Sequence, residues 1–488
     1  MMLLTLDLGT TVLKAALWSD GRLVAERAAT LSLRTAGLEA EQDANEWWAR
    51  AVALVRELAP SPVDAIGVTA QMHAVVPIDE TGNPLAPVPV VMDRRAHAEV
   101  AELLAAPGWR SIHTLTGGRL DVTCVLPKLR HLTRSPAAAA WRNAAWLLPP
   151  KDYLRFRLTG EAATDPTDAA GTLLWNIRTG HWELSLVELS GIRATQLPPV
   201  QPTLSLAGKL TPAAAQALGL TAGIPVVTGG GDDIETLGAG AITPGDYFEH
   251  CGTTGSIYLA TEKFMLDPAG TVETYPDIVP GRWLMGASTT TAGAALAWAR
   301  RVLALDPAQA PANGLPPLQA SPGELLFLPF LAGERGPWWN AALTGSWQGM
   351  RPEHTAADLY RAAVEGVFYS LHSLLASLRP HAERSGGAVH TSGPLGLDQR
   401  GAQVRADLYG LTVRRRGALP QSTAIAAALI TEAALTGADP YALAQSRLET
   451  VWECPPGTAQ AAWAAGARRY HQAAATAHAT SQPSEKKP

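Results

Sequence analysis

Cysteine is scarce in this chain: Cys124, Cys251 and Cys454 are far apart and odd in number. No CxxC or Cys/His spacing links them, so neither a disulfide scaffold nor a structural zinc site is expected. Charge is sparse too. Charged residues make up 17% of the chain and the formal net charge is -5. A nucleic-acid binder would carry a basic face or tail, so the balance fits an enzyme that holds a small anionic ligand locally. No run approaches the roughly 20 apolar residues that cross a bilayer; the longest stretches, such as Thr423 to Leu435, are shorter and carry polar residues. Asp7 interrupts the apolar start and no basic segment precedes it, so no signal peptide is expected and the chain reads as cytoplasmic. What is present is a hydrophobic share of 47% over 488 residues. That excludes a disordered chain and implies two or three domain cores. The 44 glycines and 37 prolines matter by position.

Along the chain, residues 2–8, 12–18 and 22–33 read as an antiparallel three-stranded meander with tight connections. A helix follows at about 43–58, with Asp43 at the N-cap and Glu46 at the capping-box position. Val63 to Thr69 is a buried strand that runs into Gln71-Met72-His73. The order β-β-β-α-β points to an α/β domain. It restarts at Asp246 to Cys251, with Gly252-Thr253-Thr254-Gly255 answering Gly9-Thr10-Thr11, and a later strand ends at Gly393. A duplicated fold is implied, with domains at 1–242 and 243–478 and a disordered tail at 479–488. The stretch 305–322 reads as a surface loop, and Ala-rich interior helices are expected at 356–380 and 421–436.

A hairpin tipped with Gly-Thr-Thr offers backbone N–H groups and hydroxyls to an anion, with no side-chain bulk in the way. Either hairpin alone reads as an ordinary turn; one per half could grip a nucleotide's phosphates. Asp7 ends a strand just before the first turn, where a carboxylate could hold Mg²⁺ through water or simply cap the turn. Gly229-Gly230-Gly231-Asp232 follows the apolar run Ile224 to Val227. Asp232 could take a proton from a hydroxyl nucleophile, or cap a helix. Asp233 and Glu235 make that patch acidic. His73 and Asp93 each stand after a strand and could grip a polyol, or serve structure alone. Phosphoryl transfer needs phosphate donors, a metal carboxylate, a base and a polyol pocket, and these pieces supply all four.

Read together, these segments resemble the FGGY carbohydrate kinases, closest to the xylulokinase branch, from Leu3 to about Gln472. The resemblance rests on Asp7-Leu8-Gly9-Thr10-Thr11 with Lys14, Glu41-Gln42-Asp43 with Trp47-Trp48, and Gln71-Met72-His73. It rests also on Leu148-Pro149-Pro150-Lys151-Asp152-Tyr153-Leu154, Thr167-Asp168-Ala169-Ala170-Gly171-Thr172, Gly333-Glu334-Arg335 and Gly345 through Glu365. It implies an α/β fold of two actin-like (ribonuclease-H-like) domains flanking a central cleft, with ATP on the C-terminal domain and sugar on the N-terminal one. By motif, Asp232 is the general base and Asp7 the magnesium-side carboxylate. Met72, His73, Asp93 and Asp233 face the sugar. Thr10, Thr11, Thr253, Thr254, Gly293 and Gly393 serve the nucleotide. ATP, Mg²⁺ and a small sugar are the implied ligands, and the resemblance leaves a homodimer open.

The chain also departs from the family pattern. Gly393-Pro394-Leu395-Gly396 stands where a glycine triplet is usual, so a donor is lost and bulk added where backbone should approach the nucleotide. Asp233 replaces an asparagine common in xylulokinases, exchanging a donor-acceptor for an acceptor-only group. Glu39, Val91 and His131 each stand where tryptophan is usual. The expected reaction is phosphorylation of D-xylulose to D-xylulose 5-phosphate. The alternatives are a kinase for another ketose, polyol or sugar acid, and a non-catalytic sugar- or nucleotide-binding relative.

Overall fold

The computed structural model describes residues 1–58, 62–105, 108–240, 243–306, 315, 318, 322–383, 386–396, 398–417 and 422–481. The chain divides into two compact units: Met1–Ala241 with Thr274–Arg282 and Gln421–Arg447, and Ile242–Glu273 with Trp283–Pro420 and Leu448–Pro488.

In the first unit a six-stranded sheet runs Arg22–Thr30, Val12–Ser19, Met2–Leu8, Ala65–Ala70, Pro225–Val227, Leu206–Lys209. The central strands Met2–Leu8 and Ala65–Ala70 pair in parallel and are almost wholly buried. That explains their near-continuous apolar sequences. Edge strand Arg22–Thr30 is mostly exposed or half-buried. The helix Ala44–Leu58 packs on the meander through Trp47, Ala51, Leu54 and Val55. Asp43 caps it by accepting from the Asn45 N–H at 2.9 Å. Glu46 instead accepts from the Ser32 N–H and hydroxyl, so it pins the end of the meander. Trp47 meets Tyr153 edge-on at 6.3 Å, a contact worth about 0.5–1.5 kcal/mol beyond its buried area. A second apolar cluster, with Ile112, Leu126, Leu129 and Trp141, forms among the helices inserted before Leu206–Lys209.

The second unit repeats the plan. Its sheet holds, in order, Trp283–Thr289, Gly255–Thr261, Tyr247–Cys251, Val389–Ser392, Val413–Arg416 and Thr450–Cys454. In both units the first three strands form an antiparallel meander, and the first strand pairs in parallel with the fourth. One difference is chain order at the far edge. The outer strand precedes its neighbour in the first unit and follows it in the second. The long helix Ala356–Leu378 covers this sheet, buried through Val364, Val367, Phe368 and Leu371.

The units differ from the domains drawn at 1–242 and 243–478. The chain returns after residue 420, and helix Ser422–Thr436 lies on the strands Met2–Leu8 and Ala65–Ala70 of the first unit. This helix is mostly apolar, and most of its residues are buried. Gly67 makes the fit: a Cβ there would collide with the Thr431 hydroxyl. Thr274–Arg282 also belongs to the first unit, where the Thr274 N–H meets the Gly117 carbonyl at 2.9 Å and the Tyr441 hydroxyl donates to Asp277 at 2.5 Å. The final helix runs Gln460–Ser481, so residues 479–481 of the expected tail are helical and the rest lies outside the described residues. Most of the 305–322 stretch also lies outside them.

Candidate active site

At the end of the first strand, Asp7 is half-buried and stands in register with Lys14 on one side and Thr69 on the other. Burial pushes its carboxyl up to about 6; Lys14 opposes the rise, and Glu235 and Glu26 add to it. The turn that follows is closed by the Gly9 N–H on the Val12 carbonyl at 3.0 Å. Thr10 is half-buried and Thr11 exposed. The Gln42 amide donates to the Thr10 carbonyl at 2.7 Å, and the Gln71 amide donates to Gln42 at 2.9 Å. The turn is thereby fastened to the segment Gln71-Met72-His73. Gln42 was not among the sequence-derived site residues, although its motif was noticed.

The glycine triplet needs its glycines. Gly229 has φ +69°, and a Cβ there would strike the Val68 carbonyl. A Cβ on Gly231 would lie 2.5 Å from Met72 Cγ. Asp232 is exposed at the start of the short 3-10 turn Asp232–Ile234. Gly231 is the N-cap of that turn. Asp233 is half-buried. Glu235 accepts from the Ser422 hydroxyl of the returning helix.

The sugar-side candidates divide. Met72 is buried against Gly171 and Gly231, under the triplet. His73 is half-buried with φ +60°, a strained conformation for a non-glycine residue. Lys128 holds that turn by donating to the His73 carbonyl at 3.0 Å and the Val90 carbonyl at 2.7 Å. Burial lowers the Lys128 amine to about 8, against the pull of Asp93. Asp93 itself is buried and occupied: it accepts from the Ala40 N–H at 2.9 Å and pairs with Arg95 at 2.9 Å. Arg95 also pairs with Glu41 at 2.6 Å and Glu39 at 3.4 Å. Asp93 therefore shapes this segment through Arg95, where the sequence had offered it as a direct sugar contact. Lys128 escaped sequence reasoning because nothing local marks a lysine as buried.

Behind the triplet lies a fully buried charged cluster. Lys151 Nζ contacts Asp152 at 2.6 Å, Asp165 at 3.4 Å and Asp168 at 3.5 Å, and Arg155 meets Asp152 at 3.2 Å. Burial raises the Asp168 carboxyl well above the usual range; Lys151 opposes this, and Asp152, Asp165 and Asp232 add to it. Such a cluster survives burial only when its members are paired and hydrogen-bonded.

In the second unit the first strand ends His250-Cys251, so His250 occupies the place of Asp7. Its Nδ1 meets the Ser392 hydroxyl at 3.1 Å. Thr253 and Thr254 are exposed on the turn. Gly293 and Gly393 close on the backbone of this turn: added Cβ atoms would lie 2.6 Å from the Gly252 carbonyl and 2.7 Å from the Cys251 carbonyl. The Ala292 and Ala294 N–H groups donate to the Thr253 carbonyl at 3.0 and 3.1 Å. Beneath, Glu249 is fully buried and accepts from Thr391 at 2.9 Å, from Tyr409 at 2.6 Å and from Arg405.

Among the described residues no group of three or more His, Cys, Asp or Glu side chains could hold a metal. Mg²⁺ does not need one, since it usually keeps several waters and takes one or two carboxylates. Asp7, a hard oxygen donor whose charge is disfavoured by burial and by Glu235, fits that demand.

Two sheets that share a meander and a parallel fourth strand, each with a Gly-Thr-Thr turn at the end of its first strand, define an enzyme of the two-domain actin-like ATPase fold. Residues 2–238 match the N-terminal domain, and residues 250–435 the C-terminal domain, of the FGGY family of carbohydrate kinases. The chain belongs to this family. It is 31% identical to the xylulose kinase of Escherichia coli (strain K12) over 377 residues, covering 76% of this chain and 77% of that one. It is 26% identical to the gluconokinase of Bacillus subtilis (strain 168), covering 83% and 82%. The solved xylulose kinase of Rhodospirillum rubrum aligns over 99% of this chain and all of its own, with a TM-score of 0.87 and 27% identity. A glycerol kinase from Plasmodium falciparum solved with ADP shares the fold, with a TM-score of 0.86, 19% identity and coverage of 98% of each chain.

Proposed function

We propose that this carbohydrate kinase transfers the γ-phosphoryl group of ATP to the primary hydroxyl of D-xylulose, giving D-xylulose 5-phosphate and ADP. The observation that carries the reading is Asp232, an exposed carboxylate at the end of a rigidly packed glycine triplet. It accepts the hydroxyl proton as the oxygen attacks phosphorus. Thr10, Thr11, Thr253 and Thr254, with the N–H groups of their turns, donate to phosphate oxygens. Gly293 and Gly393 let the nucleotide approach backbone. Asp7 would hold Mg²⁺, which when bound would supply positive charge beside the phosphates. His73 and Asp233 present polar groups to the sugar, above the Met72 floor.

The relatives include both a xylulose kinase and a gluconokinase, so the choice of acceptor needs its own argument. Asp7, Asp232, Asp233 and Glu235 make this face of the first unit acidic. In the sugar-side segment, Arg95 is already shared among Asp93, Glu41 and Glu39. A sugar acid would bring one more carboxylate. Two like charges about 5.5 Å apart at an effective dielectric near 20 cost roughly 3 kcal/mol, about a hundredfold in binding. A neutral ketose avoids that cost. The test is a panel of D-xylulose, D-ribulose, glycerol and gluconate with ATP. The expected result is a kcat/KM on D-xylulose at least tenfold above the rest; a higher value on gluconate overturns the assignment.

A further inference from the structure

The glycines that let the base loop pass close to Val68 and Met72 also deprive it of side chains to anchor itself. The loop is held from outside at both ends. At its start, the Lys151 ammonium donates to the Thr228 carbonyl at 3.2 Å. At its end, the Gly231 N–H donates to Thr167 Oγ1 at 3.0 Å. Between them the Gly229 N–H reaches the Thr203 carbonyl at 3.2 Å. Thr167 in turn donates to Asp165 Oδ2 at 2.8 Å, and the Thr203 hydroxyl donates to the same oxygen at 2.8 Å. Asp165 is fully buried; it also accepts from the Thr167 N–H at 3.1 Å and the Asp168 N–H at 3.4 Å, capping the helix Pro166–Gly171, and it meets Lys151 at 3.4 Å. One buried carboxylate thus backs the hydroxyl that holds the Gly231 N–H, the peptide just before Asp232.

We infer that Thr167, backed by Asp165 and Lys151, is a positioning residue for the general base: its hydroxyl fixes the Gly231 peptide and so sets where the Asp232 carboxylate meets the acceptor hydroxyl. This inference rests on Asp232 being the base. An apolar cluster of the same volume would hold the fold as well or better, because buried ions cost several kcal/mol each to desolvate. The charged cluster supplies direction instead. A threonine that receives one hydrogen bond and gives another has a single hydroxyl orientation, so the loop has one seat. Displacement of a reacting group by about 1 Å costs on the order of a hundredfold in rate.

The test uses Thr167→Val, which keeps the shape and removes both hydrogen bonds, and Thr167→Ser, which restores them. Kinetics are measured with ATP, Mg²⁺ and the best acceptor of the panel. Thr167→Val should lower kcat by about 10- to 100-fold while both KM values stay within about twofold. Thr167→Ser should return kcat to within about threefold of the parent. Thr203→Val, which removes a single tie to Asp165, should show a smaller loss with the same split, and it serves if Thr167→Val does not fold. Unchanged kcat in the valine variants, KM values that rise in step with the loss, or a serine variant as impaired as valine would each overturn the inference. Asp232→Asn separates the two levels. If it is inactive while Thr167→Val is normal, only the positioning role falls; if it is fully active, the base assignment falls first.

Discussion

The two units share a meander with a parallel fourth strand, yet the ends of their first strands carry opposite chemistry. In the first unit the strand delivers Asp7, a carboxylate held up near 6 by burial. In the second it delivers His250, an imidazole tied to Ser392. Both turns then read Gly-Thr-Thr. The support beneath differs as well. Lys151 and three aspartates brace the loop before Asp232, whereas Glu249, Arg405 and Tyr409 lock the strand before the second turn. Both copies kept the Gly-Thr-Thr turn, which the proposed reading makes the phosphate grip. Acid-base and metal chemistry needs carboxylates that are held in place but reachable, and these stand in the first copy. The second copy has its glycines closed on its own turn, a surface suited to a nucleotide.

The asymmetry is broken most directly at Asp232. Asp232→Asn keeps the size of the exposed side chain and removes the base, so kcat should fall by about 10²- to 10⁴-fold. The thermal midpoint should stay within about 2 °C, because surface substitutions change stability little. The removal of a side chain from Thr253 or Thr254 in the second unit should act instead through the KM for ATP. Near-parental turnover in Asp232→Asn would remove the division of labour at its root.

Asp7 tests the same division through stability. Its carboxyl is raised in the folded state from 3.8 to about 6. A raised acid contributes stability at low pH and loses it as pH rises from about 4 through about 6. Above that window the ionised carboxylate costs the empty protein roughly 3 kcal/mol. Asp7→Asn should therefore raise the unfolding free energy at pH 7.5, by up to that amount, while activity collapses. Its advantage should shrink toward pH 4. His250→Asn in the second unit should bring no such gain. A destabilised Asp7→Asn protein at pH 7.5 would show that the carboxylate belongs to the scaffold.

How much of this could be read from the sequence follows from range. The meander, the turns and the acids at strand ends are local, because the apolar run, the glycine and the acid sit within a few residues of one another. Gly229-Gly230-Gly231-Asp232 was legible for the same reason. The return of Ser422–Thr436 to the first unit was not. A mostly apolar helix says that it will be largely buried, not against which sheet, and the matching vacancy at Gly67 lies more than 350 residues upstream. Asp93 showed the opposite problem. Its position after a strand suggested a ligand contact, but it accepts from the Ala40 N–H, from another segment, and pairs with Arg95 two residues on. Lys128 and Lys151 look like surface residues in sequence, and only the surrounding carbonyls and acids explain their burial.

Lys128 offers a middle-sized effect confined to the sugar side. It grips the carbonyls of His73 and Val90, on the segment after the Ala65–Ala70 strand rather than on the Gly9-Thr10-Thr11 turn. Lys128→Met should leave those carbonyls unsatisfied and let His73 relax from its left-handed conformation. The acceptor KM should rise about tenfold with little change in the KM for ATP. The amine is lowered from 10.5 to about 8, so its burial costs stability at neutral pH and the cost is relieved as pH rises from about 8 toward 10.5. The parent should gain stability over that interval, and Lys128→Met should lack the gain. A pH profile of unfolding identical in the two proteins would refute the buried-cation reading.

The smallest effect belongs to the second unit, at Leu395. Its bulk, in place of a family glycine, suggested an obstruction to the nucleotide. The side chain is half-buried and packs against the core of the second unit, with its Cδ1 3.7 Å from where a Cβ on Gly293 would stand. Gly393, at φ +78° against the Cys251 carbonyl, still holds the backbone close to the turn. Leu395 thus serves as an apolar floor beside the turn, and truncation to alanine removes contact area rather than opening a blocked path. The KM for ATP should rise about threefold in Leu395→Ala, the equivalent of roughly 0.7 kcal/mol, and the acceptor KM should not move. A lower KM for ATP would mean that leucine does obstruct the nucleotide, and that the second copy of the turn has drifted from its binding role while the first kept its catalytic one.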